Sequence, residues 1–311
     1  MNDLIDIREK LEDTHSAIAR IREDLAAEPN DRRLALMLES LEQRRDSLET
    51  AFHKIANARQ LEVCSYRLIR EDDQAFLPIA VVGETLKAFQ SWLTVVFDAI
   101  KSGPKLRSRP AAEIVQQTTL DFAYTFAGSL GVVFTVPSER DLFDNSELDR
   151  SVDGMFQMLR VHTSDELVQF ARAYGVSAVR RMYDWANNHS NYAVSVDIKW
   201  RRGEKIRNEI LVQAPEAAHL CQLIDSTSDV TDEEITVTGK LVGGDTVTRN
   251  FHMSFPSADD IKGQMADDFT YVGDLTLEHL YKARILKRKI VRYATEEEDF
   301  SYRLLNLEPS G

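Results

Sequence analysis

Asp197-Ile198-Lys199 lies in an alternating segment, which puts a carboxylate and an ammonium on one side of a strand. Such a pair can hold a divalent metal ion and stabilise charge around an attacked phosphate. The competing reading is a solvent face, with Asp197 and Lys199 pairing across to Arg207 and Glu209 on the return strand. A second stretch, Tyr281 to Tyr293, carries Lys282, Arg284, Lys287, Arg288, Lys289 and Arg292 between two flanking aromatics. On a small barrel these cations would track a phosphate backbone while aromatic rings stack on bases. Glu296-Glu297-Glu298-Asp299 follows at once and neutralises part of that charge, as in an edge strand that discourages aggregation.

Other chemistry is excluded by neighbouring residues. Gly128-Ser129-Leu130-Gly131 is followed by no Gly-Lys-Ser/Thr and opens no helix with a spaced third glycine, so it is neither a P-loop nor a dinucleotide fingerprint. Ser129 lacks the Gly-x-Ser-x-Gly setting of a nucleophile elbow. His15, His53, His162, His189, His219, His252 and His279 show no metal-ligand spacing. Asp141, Asp144, Glu147, Asp149 and Asp153 coincide with expected helix starts, where carboxylates favour the helix dipole. No catalytic residue, metal ligand or cofactor is assigned.

The net charge of −13 argues against wrapping duplex nucleic acid with the whole surface. Cys64 and Cys221 are far apart and fit buried free thiols in a reducing compartment, hence a cytoplasmic protein. The charged Met1–Arg8 stretch is no secretory signal, and no run reaches the roughly 18 apolar residues of a membrane span.

The elements that must carry these residues follow from periodicity. Leu4, Ile7, Leu11, Thr14, Ile18, Ile21 and Leu25 step by three and four, a heptad seam with one polar position. Pro29 breaks it, and a second helix repeats Leu34, Leu41, Leu48 and Ile55 every seven residues. Together they predict an antiparallel hairpin about 35 Å long. It either associates with a partner or a second copy, or packs flat on the rest of the chain.

Leu61–Arg70 predicts a strand, and a helix opens at Pro78. A core β-hairpin follows, with Phe122, Tyr124, Phe126, Val132 and Phe134 inward and Gly128 and Gly131 supplying positive φ for the reversal. Ser138 is placed to cap a short helical turn at Glu139–Phe143, and Ser146 with Asp149 forms a capping box. Helices interrupted at Gly175 lead to a second hairpin turning at Arg201–Glu204. Ser226–Glu234 reads as a polar linker. Five short strands follow, with a turn at Gly243-Gly244-Asp245 and a brief helix capped by Ser257 and Asp260.

The fold class expected is therefore α+β: an N-terminal antiparallel helical hairpin (1–58), a central α+β domain with β-hairpins (59–228), and a C-terminal small OB/SH3-like β-barrel (229–311). Ala88-Phe89-Gln90, then Gly128–Val132, Val237–Asp245, Arg249-Asn250-Phe251 and Tyr302–Leu307 occur in an order that resembles poorly characterised bacterial α+β proteins with a C-terminal barrel. Some of those belong to phage-defence loci. The resemblance implies a bacterial defence component and supplies no catalytic residues. Asp197-x-Lys199 separately resembles half of the PD-(D/E)xK nuclease pattern, without its earlier strand-borne acid or a Pro-Asp. The expected function is a non-enzymatic interaction protein that associates through 1–58. Nucleic-acid binding at 282–292 and a metal-dependent nuclease at Asp197 and Lys199 are the alternatives.

Overall fold

The computed structural model describes residues 2–70, 77–126, 130–138, 146–245, 247–256, 258–271 and 275–310. The chain forms two compact units, Met1–Thr227 and Ser228–Gly311. Among the described residues no helix is long and apolar enough to cross a membrane.

In the first unit α1 (Asn2–Ala27) and α2 (Arg32–Ala58) form the hairpin that the heptads predict. Asp31 caps α2 by accepting from the backbone of Arg33 and Leu34. Five strands make one antiparallel sheet: β1 (Leu61–Arg70), β2 (Asp121–Phe126), β3 (Leu130–Pro137), β4 (Val194–Arg202) and β5 (Lys205–Val212), in the order β2-β3-β1-β4-β5. The helices of this unit that follow the hairpin are α3 (Ile79–Ser102), α4 (Ala112–Thr118), α5 (Glu147–Met158), α6 (Ser164–Tyr174), α7 (Val176–Asn191) and α8 (Ala214–Ser226).

The hairpin does not stand off as a separate domain. Leu11 of α1 and Phe52 and Ala56 of α2 share a core with Val63, Ala123, Tyr124 and Val133 of the sheet. Burying apolar area is the main gain in folding, and two helices with one narrow seam cannot bury enough of it alone. Residues 1–58 therefore fold as part of the first unit, and the change of unit falls between residues 227 and 228.

The alternate face of β1 and β4 carries Cys64, Tyr66, Leu68, Val196, Ile198 and Trp200, all buried. α3 and α7 complete this core, with the Trp92 and Trp185 rings 5.6 Å apart and Tyr66 4.9 Å from Phe89. His189 is sealed inside it. Its Nδ1 lies 2.7 Å from the Val194 carbonyl and so carries the proton, while Nε2 accepts from the Tyr66 hydroxyl at 2.6 Å. The Tyr66 oxygen in turn accepts from Trp185 Nε1 at 2.9 Å. Every polar atom of the neutral ring is satisfied.

The first β-hairpin departs from strict alternation. The β2–β3 register shifts between Phe122 and Tyr124, so Ala123 and Tyr124 are both buried and Phe122 is 56% exposed. A bulge adds a residue on one strand and reverses the facing of what precedes it; Phe122 is not inward. Gly131 sits within β3 without a positive φ. What it supplies is room, since a Cβ there would lie 2.2 Å from the Phe126 ring. Gly128 lies outside the described residues, as do Ser129, the Glu139–Phe143 turn and Ser257. Ser138 instead donates its hydroxyl to Glu62 at 3.1 Å.

Gly175, between α6 and α7, has φ +87°. A Cβ there would meet the Lys105 backbone N and O at 2.4 Å. That close approach lets Ser177 bond the Lys105 carbonyl, while the Lys105 ammonium and Ser108 hydroxyl reach buried Asp98. Gly175→Ala is expected to combine backbone strain with this clash and to destabilise the unit by about 2 kcal/mol. Urea unfolding would measure it; a change within about 0.5 kcal/mol would contradict the clash.

The second unit is a closed ring of five strands, β6 (Ser228–Asp245), β7 (Asn250–Phe255), β8 (Ala258–Tyr271), β9 (Leu280–Arg292) and β10 (Glu298–Pro309), ordered β10-β8-β7-β6-β9. All neighbours are antiparallel except β8 and β10, which are parallel. Leu241, Phe251, Met253, Met265, Tyr281, Ala283, Ile285, Leu304 and Leu307 fill it.

Three local expectations change here. The polar Ser228–Glu234 stretch is strand, paired residue for residue with Leu286–Arg292 of β9. Residues 258–271, expected to begin as a brief helix, are strand throughout. Gly243 and Gly244 lie inside β6 opposite His252 and Phe251. The turn is set by Asp245, which accepts from the Val247 and Thr248 amides at 2.8 and 3.2 Å.

Candidate functional site

The sheet face beneath the hairpin alternates polar and apolar side chains. β1 presents Val63, Ser65 and Arg67, and β4 presents Asp197, Lys199 and Arg201, registered as Val63 with Arg201, Ser65 with Lys199 and Arg67 with Asp197. β2 contributes Tyr124 and Phe126, β3 contributes Val133, and α2 lays Glu49 and His53 across them. These residues line a cleft of about 200 Å³.

Asp197 and Lys199 thus meet a set of groups that the sequence pairing does not name. Lys199 Nζ is 3.9 Å from Asp197 and 4.0 Å from Glu209, beyond hydrogen-bond reach of either. Arg207 faces away from this pair, bonds Asp149 and lies 3.7 Å from Asp153; the expected Asp197–Arg207 pairing does not form. Among the described residues no group of three or more His, Cys, Asp or Glu is placed to hold a metal ion.

Burial and the nearby Arg201 hold His53 down at about 4. His15, in contact with Tyr124 and Phe126, is likewise held at about 4 by burial, with Arg45 and Arg22 adding to it. Burial pushes Glu49 up, partly offset by Arg45. His189 is lowered to about 4 by burial as well.

A histidine whose folded pKa lies below its unfolded value binds its proton first in the unfolded chain. Its contribution is complete above pH 6.5 and is lost as pH falls toward 4; Glu49 acts in the opposite sense. His53 and His189 should each remove about 2 kcal/mol by pH 5, and His15, 3.8 Å from the Glu49 carboxyl, should remove less. Urea unfolding from pH 7 to pH 5 would show the decline, and a flat profile would refute it.

The expected interaction residues divide in two. Leu11 and Ile18 are buried, whereas Leu4, Ile7, Ile21, Leu25, Leu34, Leu41, Leu48 and Ile55 are half-buried along the seam. Leu36 and Met37, near the hairpin tip, are 57% and 52% exposed.

On β9 the basic side chains meet acids of both neighbouring strands. Arg288 makes two bonds to Asp232 at 2.7 and 2.8 Å, and Arg284 bonds Glu234 at 2.7 Å. Lys289 pairs with Glu298, and Arg292 lies 2.8 Å from Asp299. Lys287 sits 5.1 Å above the Phe300 ring, and Lys282 is exposed opposite Thr238. β9 is thus an interior strand of the ring, covered on both edges.

A second buried charge cluster lies on the opposite sheet face. Glu62 accepts from Arg202, Ser138 and Trp200, and Asp149 accepts from Arg202 and Arg207 while closing the Ser146 capping box. It ties the start of α5 to β1, β4 and β5. The only sequence signal for it is a glutamate inside the apolar run Leu61-Glu62-Val63.

No family model, curated protein or solved structure matches this chain.

Proposed function

We propose that this chain is a non-enzymatic interaction protein that associates with a protein partner or a second copy through the distal half of the α1/α2 hairpin. The supporting observation is that the seam from Ile21 to Leu41 remains half-exposed, beside exposed Leu36 and Met37. Apolar side chains left in this state gain by docking on a complementary helix face. Membership of a bacterial defence system, implied by the sequence resemblance, belongs to the same proposal; unchanged phage plating on a deletion strain would remove it.

Because Leu11, Phe52 and Ala56 belong to the core of the first unit, truncating residues 1–58 would unfold it. Leu36→Glu with Met37→Glu tests the surface instead. Light scattering after size exclusion is expected to show association weakened by about tenfold or more, at unchanged thermal stability. A monomeric wild type that also loses no partner on this double substitution would end the proposal.

A second reading rests on the second unit. Its ring order, with one parallel pair closing otherwise antiparallel strands, supports an OB-type Greek key over an SH3-type meander. OB barrels commonly bind oligonucleotides. Phe300, 45% exposed beneath Lys287, supplies a stacking surface. Labelled single-stranded DNA should then bind with an affinity that falls with salt by about 0.7 per phosphate neutralised. Absence of binding at low salt removes this reading.

A further inference from the structure

The cleft between α2 and the sheet is a concave site whose donors exceed what the protein itself satisfies. Lys199 has no carboxylate closer than 3.9 Å. Arg201 makes one long bond, 3.5 Å to the Glu204 carbonyl. His53 is nine-tenths buried and its Nδ1 has no hydrogen-bond partner.

The lining sets the ligand's chemistry. Lys199 and Arg201, with Arg67 beside Asp197, bring positive charge to the lining, while Asp197 and Glu49 oppose a second negative charge on the guest. Three cations against two carboxylates leave the balance of the lining positive. Tyr124, Phe126, Val63 and Val133 form an apolar, mainly aromatic wall. The volume of about 200 Å³ equals that of about seven waters, room for a single substituted ring.

We propose that this cleft binds a small organic carboxylate, with its anionic group on Lys199 and Arg201 and its flat apolar body against Tyr124 and Phe126. The inference is independent of association through the hairpin tip. It assigns to Lys199 the role of an anion donor, with Asp197 setting the charge limit.

Benzoate is the probe, with benzamide as its neutral counterpart and inorganic phosphate as an anion without a ring. In amide-shift titrations of the full chain, benzoate is expected to saturate with a Kd on the order of 1 mM, as suits a ligand of this size. The perturbed amides should centre on Ser65, Tyr124 and Lys199. Lys199→Met with Arg201→Met should weaken binding about tenfold or more. Both side chains reach solvent, so the fold should persist; Lys199→Met alone, expected to weaken binding severalfold, replaces the pair if the double variant fails to fold. Benzamide and phosphate should each bind at least about tenfold more weakly than benzoate. Failure of benzoate to bind, unchanged binding in the folded variant, or equal binding of benzamide or phosphate would overturn the proposal.

Discussion

Glu62→Ala is expected to destabilise the first unit by about 3–5 kcal/mol, the range for stranding one side of a buried ion network. Glu62 is 1% exposed and accepts from the Arg202 guanidinium, the Ser138 hydroxyl and the Trp200 indole. Alanine leaves all three donors in a cavity that the surrounding sheet and α5 cannot easily fill. For a unit of this size the loss should lower the melting temperature by about 6–20 °C. Asp149→Ala should act similarly, because it strands Arg202 and Arg207 and removes the reciprocal half of the α5 capping box. The two sites share Arg202, so the double variant should cost less than the sum of the singles. Calorimetry on the four proteins would settle both points. A loss below about 1 kcal/mol for Glu62→Ala would mean that the network is solvated and not buried.

Gly263→Ala should open the second unit at its parallel seam. A Cβ there would lie 2.1 Å from the Tyr302 carbonyl oxygen and 2.9 Å from the Phe251 ring. The next residues, Gln264 and Met265, pair with Arg303 and Leu304. Backbone cannot swing aside as a flexible side chain can, so relief requires β8 and β10 to separate and expose Leu304 and Leu307. The cost should be about 3 kcal/mol. Hydrogen exchange should show lost protection along β10, with the first unit unchanged. Gly243→Ala provides the contrast: its Cβ would make an ordinary 3.5 Å contact with His252 and should cost under about 1 kcal/mol. Equal protection of β10 in both variants would contradict the steric account.

Much of the fold is legible in local patterns. The heptads of α1 and α2, the capping box at Ser146, the break at Gly175 and the alternation of β4 each occur where the chain's own chemistry places them. The misreadings share a cause. Ser228–Glu234 is mostly polar, and Thr231, Asp232 and Glu233 face Lys289, Arg288 and Lys287 across the ladder, so a strand paired largely by charge passes for a linker. Residues 258–260 resemble a helix cap, but the neighbouring β7 supplies backbone partners that a local reading does not contain. Phe122 points outward because one bulged register shift changes its face.

The candidate cleft was only half visible. Alternation puts Asp197, Lys199 and Arg201 on one face, yet Glu49 and His53 belong to a helix about 150 residues earlier in the chain. The sequence by itself determined the elements: which segments are helix, where two heptad stretches turn back, and which strand faces are polar. Those follow from steric preference and side-chain period, which act over a few residues. Only the tertiary structure decided that the hairpin lies on the sheet, that the β9 cations meet acids on both sides, and that Lys199 and Arg201 share one cleft with Glu49, His53 and two aromatic rings. These depend on register and on burial against distant segments, and small local changes reverse them.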